Sequence, residues 1–229
     1  MDIKNNLSVI KNLIRQYELQ YGREPRSVKL LAASKGQSIE KIEQVFNAGQ
    51  AAFGENYLQE ALQKIQQLAH LAIEWHFIGP IQSNKTRKIA QHFAWVHSID
   101  DLKIAERLNH QRPATLPPLN VCIQVNISAE ASKSGIALEE MNKFAETFKN
   151  FPRLKLRGLM SIPTAGNDFA TQRKYFHRLF LAYQTLCSQG FLLDTLSMGM
   201  SADFAAAIAE GSTLVRIGTA IFGKREDYI

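Results

Sequence analysis

A lysine leaving an apolar run and two glycine-containing turns late in the chain hold most of the chemistry this sequence offers. Lys35 follows Leu30-Leu31-Ala32-Ala33 in the segment Ser34-Lys35-Gly36. An amine at the end of a buried strand is partly desolvated. That disfavours its ammonium form and suits it to attack a carbonyl and form a Schiff base. The same position also fits a lysine whose stem covers the strand end while its ammonium reaches water. The two turns are Ser197-Met198-Gly199-Met200-Ser201 and Arg216-Ile217-Gly218-Thr219. Glycine lets backbone N–H groups come close to an anion, a helix N-terminus adds unpaired donors, and Ser201 and Thr219 contribute hydroxyls. Together they suit a phosphate; singly, Gly and Ser also build ordinary turns. Arg216 interrupts Leu214-Val215-Arg216-Ile217, a run that reads as buried, so it needs a partner: a structural counter-charge or a ligand atom.

Other polar residues close further apolar runs. Gly54-Glu55-Asn56-Tyr57 follows one, and His76-Phe77-Ile78-Gly79-Pro80 ends another. His76 has two readings, a general base or a core histidine satisfied by hydrogen bonds, and the second is preferred. The polar stretch 126–135, which includes Lys133, is a lid or simply a loop, and Met160-Ser161-Ile162-Pro163 is placed to wall a pocket. The six histidines are scattered with no HxxxH spacing, and no GxGxxG, GxxxxGK[ST] or Gly-x-Ser-x-Gly occurs. A bound metal, a dinucleotide, a P-loop and a serine-hydrolase elbow are therefore not expected.

These residues need a frame. Eight short apolar runs, at 28–34, 51–54, 75–79, 95–98, 120–126, 156–161, 195–198 and 214–217, read as strands buried on both faces. Between them lie amphipathic helical patterns at 39–48, 58–69, 83–93, 100–109, 138–149, 169–187 and 202–210, the first capped by Ser38. One more helix precedes the first strand, with Ile3, Leu7, Ile10, Leu13, Ile14 and Tyr17 on one face. Such alternation implies an α/β protein. Eight units close naturally into a single (β/α)8 TIM barrel, with an open doubly wound sheet as the other arrangement. In a barrel the chemistry sits at the carboxyl ends of the strands, where Lys35, Asn56, Ser201, Arg216, Gly218 and Thr219 all fall. The expectation is one domain over 1–229, with no room after Gly218 for a second.

Bulk properties agree with a soluble globular protein. The 229 residues are 45% hydrophobic and 21% charged, which excludes a disordered chain. The formal net charge of +6 is spread along the sequence, and its densest cluster, Lys85-Thr86-Arg87-Lys88, is too short to argue for nucleic acid. Cys122 and Cys187 belong to no CxxC or ligand cluster, as suits a reduced compartment. The first residues mix charges with apolar positions, unlike a signal peptide, and no run is long enough for a membrane span. A cytoplasmic location is expected.

The blocks Ala33-Ser34-Lys35, Phe53-Gly54-Glu55-Asn56-Tyr57, Trp75-His76-Phe77-Ile78-Gly79-Pro80-Ile81-Gln82-Ser83-Asn84-Lys85, Ser132-Lys133-Ser134-Gly135, Arg157-Gly158-Leu159-Met160, Ser197-Met198-Gly199-Met200-Ser201 and Val215-Arg216-Ile217-Gly218-Thr219-Ala220-Ile221-Phe222-Gly223 occur in that order. They closely resemble the YggS-type pyridoxal-phosphate homeostasis proteins, from about Val28 to Gly223. That family is similar in fold to the N-terminal barrel of alanine racemase. The resemblance implies pyridoxal 5′-phosphate (PLP) held as a Schiff base on Lys35, its phosphate held by Ser201, Gly218 and Thr219, Arg216 facing the pyridine nitrogen and Asn56 near the ring hydroxyl. An Arg there disfavours protonation of that nitrogen and weakens the ring as an electron sink. The implied role is a non-catalytic PLP carrier in vitamin B6 homeostasis, with no catalytic residue assigned, with apo PLP-dependent enzymes as candidate recipients and a monomer as the preferred form. An amino-acid racemase is the alternative. It needs a second base opposite Lys35, for which Tyr57 and Tyr183 are candidates that nothing in the sequence places. A phosphate-ligand barrel without PLP is the third. Gly36-Gln37-Ser38 departs from the family, which often has Thr and a nearby Lys-Pro here, and this predicts a looser loop.

Overall fold

The protein is described from a computed structural model that covers residues 2–128, 130, 133–163 and 168–223. Eight parallel strands close on themselves in sequence order: β1 (Lys29–Ala33), β2 (Ala52–Glu55), β3 (Glu74–Phe77), β4 (Trp95–Ile99), β5 (Leu119–Gln124), β6 (Leu154–Met160), β7 (Thr195–Ser197) and β8 (Leu214–Ile217). The last pairs with the first, Leu30 opposite Val215 and Leu31 opposite Arg216. The helices are α1 (Ile3–Gln20), α2 (Ile39–Asn47), α3 (Leu58–Gln67), α4 (Thr86–His92), α5 (Leu102–Gln111), α6 (Met141–Thr147), α7 (Phe169–Ser188), α8 (Phe204–Ala209) and α9 (Thr219–Phe222). The TIM barrel expected from the alternation is the architecture found.

Local rules account for the elements. The Asp2 carboxylate accepts the N–H groups of Lys4 and Asn5 and starts α1, whose apolar face of Ile3, Leu7, Ile10 and Ile14 packs against α2, α8 and α9. Ser38 caps α2 as predicted. The helix expected over 138–149 is broken instead into a 3-10 turn at Leu138–Glu140, α6, and a second turn at Phe148–Asn150. Periodicity had no way to signal α9, a single turn of four residues.

Strand side chains alternate between two environments. Val96, Val121, Ile123, Leu159, Leu196, Val215 and Ile217 join the large core beneath the helices. The intervening positions face the barrel axis, where Trp95, Cys122 and Met160 form a small separate apolar cluster. Strands such as β4, β7 and β8 are buried on both faces as expected, but the axial face is not uniformly apolar. Much of the axial filling is polar, with His76, His97, Ser197 and Arg216 all buried. No helix among the described residues is long and apolar enough to cross a membrane.

Candidate functional site

At the carboxyl ends of β1, β7 and β8 a cavity of about 270 Å³ is lined by Lys35, Arg216, Ser201, Gly218 and Thr219, together with Gln37, Ile78 and Ile162. Five of the six residues singled out in the sequence therefore meet, although the chain separates them by up to 184 positions (from Lys35 to Thr219). Arg216 is the buried floor, while Ser201 and Thr219 are exposed at the rim. Asn56, one residue beyond β2, is half-buried and is not part of that lining.

Lys35 is half-buried, and the residues on either side of it are anchored. The Ser34 hydroxyl donates to Glu55 Oε1 at 2.6 Å, and the N–H of Gly36 donates to Glu60 Oε1 at 2.6 Å. Lys64 joins the two carboxylates: its Nζ donates to Glu55 and Glu60 and to the Ser34 carbonyl at 2.7 Å. Burial pushes the Glu55 carboxyl up, and the adjacent Lys64 ammonium pulls against that shift. Gly36 has φ +67°, in the left-handed region where a Cβ is costly. The loop predicted to be looser is thus tied at Gly36, and Ser38 at its other end caps α2. Sequence reading missed Lys64, Glu60 and Glu55 as its supports. The available signal was Lys64 one residue before Ile65 in an otherwise apolar stripe, four positions from Glu60.

Arg216 Nη1 donates to both the carbonyl and the hydroxyl of Ser197 at 2.7 Å, and its Nη2 donates to the Ser161 carbonyl at 2.9 Å. Burial pulls the guanidinium down to about 10, opposed by Asp203 and Cys122, so it stays charged at neutral pH. Cys122 is itself pushed up to about 12 by burial and is a neutral thiol. Asp203 also shapes the turn after β7, accepting the Met200 N–H at 2.5 Å.

Among the described residues several buried polar atoms near this end lack a hydrogen-bond partner, including Gln37 Oε1 in the cavity lining, Glu55 Oε2, Asn56 Oδ1 and Ser161 Oγ. An unpaired buried acceptor is costly unless something else satisfies it. These atoms, a lysine amine, a cationic floor and a rim of hydroxyl and glycine N–H donors fit a flat, polar, phosphorylated carbonyl compound such as PLP. Gly79 controls where Asn56 sits, because a Cβ built there would lie 2.2 Å from the Asn56 carbonyl oxygen. Gly79→Ala should therefore shift Asn56 and lower stability by roughly 1–3 kcal/mol. Urea unfolding checks this, and an unchanged midpoint would show that the two loops part freely.

His76 is the core histidine the sequence favoured. It is 2% exposed, hydrogen-bonded at both ring nitrogens and stacked on Trp95 with ring centres 5.3 Å apart. Tyr183 donates its hydroxyl to the Leu193 carbonyl, and Tyr57 is exposed at the start of α3; neither lines the cavity. Lys133 is described, but Ser132 lies outside the described residues.

The family described as alanine racemase, N-terminal domain, matches residues 3–226. A pyridoxal phosphate homeostasis protein of Vibrio alginolyticus is 54% identical over 228 residues, which are 98% of each chain. Among solved structures, PipY of Synechococcus elongatus with PLP bound is similar at a TM-score of 0.86 and 33% identity, over 97% of this chain and 100% of that one. An alanine racemase of Clostridium difficile shares the fold alone, at a TM-score of 0.75 and 14% identity, over 98% of this chain and 58% of that one.

Proposed function

The chain belongs to the alanine racemase N-terminal-domain family, in the branch of the pyridoxal phosphate homeostasis proteins, and from that premise we propose that it binds PLP as a Schiff base on Lys35 and serves in vitamin B6 homeostasis. The observation that carries this reading is the single cavity gathering Lys35, Arg216, Ser201, Gly218 and Thr219. Bound PLP supplies an aldehyde that a lysine amine captures with loss of water, on an electron-poor ring.

The chain's own residues do the rest. The Glu55–Lys64–Glu60 cluster holds the backbone on both sides of Lys35 and so aims its amine into the cavity. Ser201, Gly218 and Thr219 take the phosphate with hydroxyl and backbone donors. Asn56 offers its partnerless carbonyl oxygen to the ring hydroxyl. Arg216, already a donor on three bonds to Ser197 and Ser161, presents positive charge to the ring nitrogen and keeps it unprotonated.

Carriage rather than catalysis is the reading for this site. Racemisation needs acid–base groups on both faces of the substrate. Among the described lining residues, Lys35 is the one such base; Arg216 stays protonated, and the others are Ala33, Gln37, Ile78, Ile162, Met200, Ser201, Ala202, Gly218 and Thr219. Reversible capture of a reactive aldehyde, with release to apo PLP-dependent enzymes, needs no second base. A cytoplasmic monomer is the form proposed.

The test is spectroscopic. Protein mixed with PLP should absorb in the visible, and borohydride reduction followed by peptide mapping should place the label on Lys35. A protein that stays colourless and takes up no PLP would sink the proposal.

A further inference from the structure

The barrel axis holds a line of polar groups that, beyond Arg216 at its head, cofactor binding does not itself use. It begins at Arg216, whose Nη1 donates to Ser197 Oγ at 2.7 Å. Ser197 Oγ lies 2.9 Å from His97 Nδ1, and His97 Nε2 lies 2.9 Å from His76 Nδ1. His76 Nε2 lies 2.9 Å from Glu74 Oε1. The line crosses the interior from β8 and β7 to β4 and β3. It runs from the cavity floor to the opposite mouth of the barrel, where the Glu74 side chain is 51% exposed.

The two ends fix its direction. A guanidinium can only donate, and an ionised carboxylate can only accept. Burial lowers both histidines, so each carries a single ring proton at neutral pH. The bond from His76 in turn holds the Glu74 carboxyl low. His76 must then donate from Nε2 to Glu74 and accept at Nδ1. His97 must donate from Nε2 and accept at Nδ1 the proton of the Ser197 hydroxyl, whose lone pair faces Arg216. Every dipole therefore turns its negative end toward Arg216, and the line ends in a full negative charge. Other charged or titratable groups stand around it: Lys29 at the start of β1, Arg157 stacked 4.6 Å from the Trp95 ring and paired with Asp194, Cys122 on β5, and Asp203 after β7.

We propose that Ser197, His97, His76 and Glu74 are positioning residues for Arg216, supplying counter-charge from the far mouth of the barrel and so setting how much positive potential the guanidinium exerts on bound PLP. The coupling rests on the PLP reading of the cavity. Aligned hydrogen bonds in a dry interior reinforce one another and are poorly screened, which lets a distant carboxylate act. A line that merely packed the barrel would be indifferent to the charge at its exposed end.

Glu74→Gln tests this, since the amide oxygen still accepts from His76 but the charge is gone. With less compensation at Arg216, protonation of the lysine-bound cofactor is disfavoured. The midpoint at which its visible absorption changes with pH should fall by about half a unit, roughly threefold in the equilibrium. Nitrogen-15 NMR of the histidine rings in the cofactor-free protein should show both protonated at Nε2 alone. Bound cofactor with an unmoved or raised midpoint, or an Nδ1-protonated or doubly protonated ring at neutral pH, overturns the coupling while leaving the PLP reading intact. Failure to take up PLP at all overturns both.

Discussion

Lys35→Ala should give a folded protein whose dissociation constant for PLP is at least about 100-fold higher, a loss of roughly 2.7 kcal/mol or more, with no visible band and no borohydride label. The residue is half-buried and lines the cavity, outside the large core, so truncating its side chain should leave the fold intact. The Glu55–Lys64–Glu60 bonds to Ser34 and Gly36 do not involve the lysine side chain, so the strand end keeps its shape. What remains is a cavity with a cationic floor and a phosphate rim, able to hold PLP without the covalent bond. Equilibrium dialysis with PLP, read beside the melting temperature, separates loss of capture from loss of fold. Unchanged affinity with the label moved to another lysine would remove Lys35 from the site.

Arg216→Met has the opposite character, a large cost in stability from a residue also placed in the binding site. The methionine fills much of the volume but donates nothing. The Ser197 carbonyl, the Ser197 hydroxyl and the Ser161 carbonyl each lose a charged donor in the barrel interior. Ser197 keeps His97 on its hydroxyl and the Ser161 N–H on its carbonyl, whereas the Ser161 carbonyl is stranded; losing the three charged bonds and stranding that acceptor should cost about 3–5 kcal/mol. For a domain of this size that corresponds to a melting temperature lower by roughly 10 °C. The Schiff base itself needs only Lys35, so the surviving folded fraction should still take a borohydride label, with its visible absorption shifted because the ring nitrogen has lost its neighbouring cation. A melting temperature within 2 °C of the parent, as an order-of-magnitude bound, would show that water replaces the guanidinium without strain.

Much of this was legible before the fold. Lys35, Ser201, Gly218 and Thr219 are found from their places after apolar runs, because in an α/β barrel the end of each strand is the only part of it that reaches the functional face. Arg216 is found as a charge inside a strand. Ser38 and Asp2 show how helix starts follow from one side chain meeting unpaired N–H groups. The supports of Lys35 were less visible: Glu55, Glu60 and Lys64 look like surface charges near a helix start until packing buries the lysine to 4% exposure.

The sequence by itself determined the strand count, the helical alternation and the residues that end each strand, because these depend on apolar periodicity and on turn chemistry a few residues long. It also carried seven ordered blocks that identify the family. Only the tertiary structure decided which of those ends face each other and what fills the axis. Closing the sheet sets β8 beside β1 and brings Arg216 to the floor below Lys35. The same closure lays His97 of β4 against Ser197 of β7 across the interior, a contact between residues 100 positions apart. Side-chain alternation names the residues on the axis. Which of them touch depends on strand register and on closure, and no local pattern in the chain encodes either.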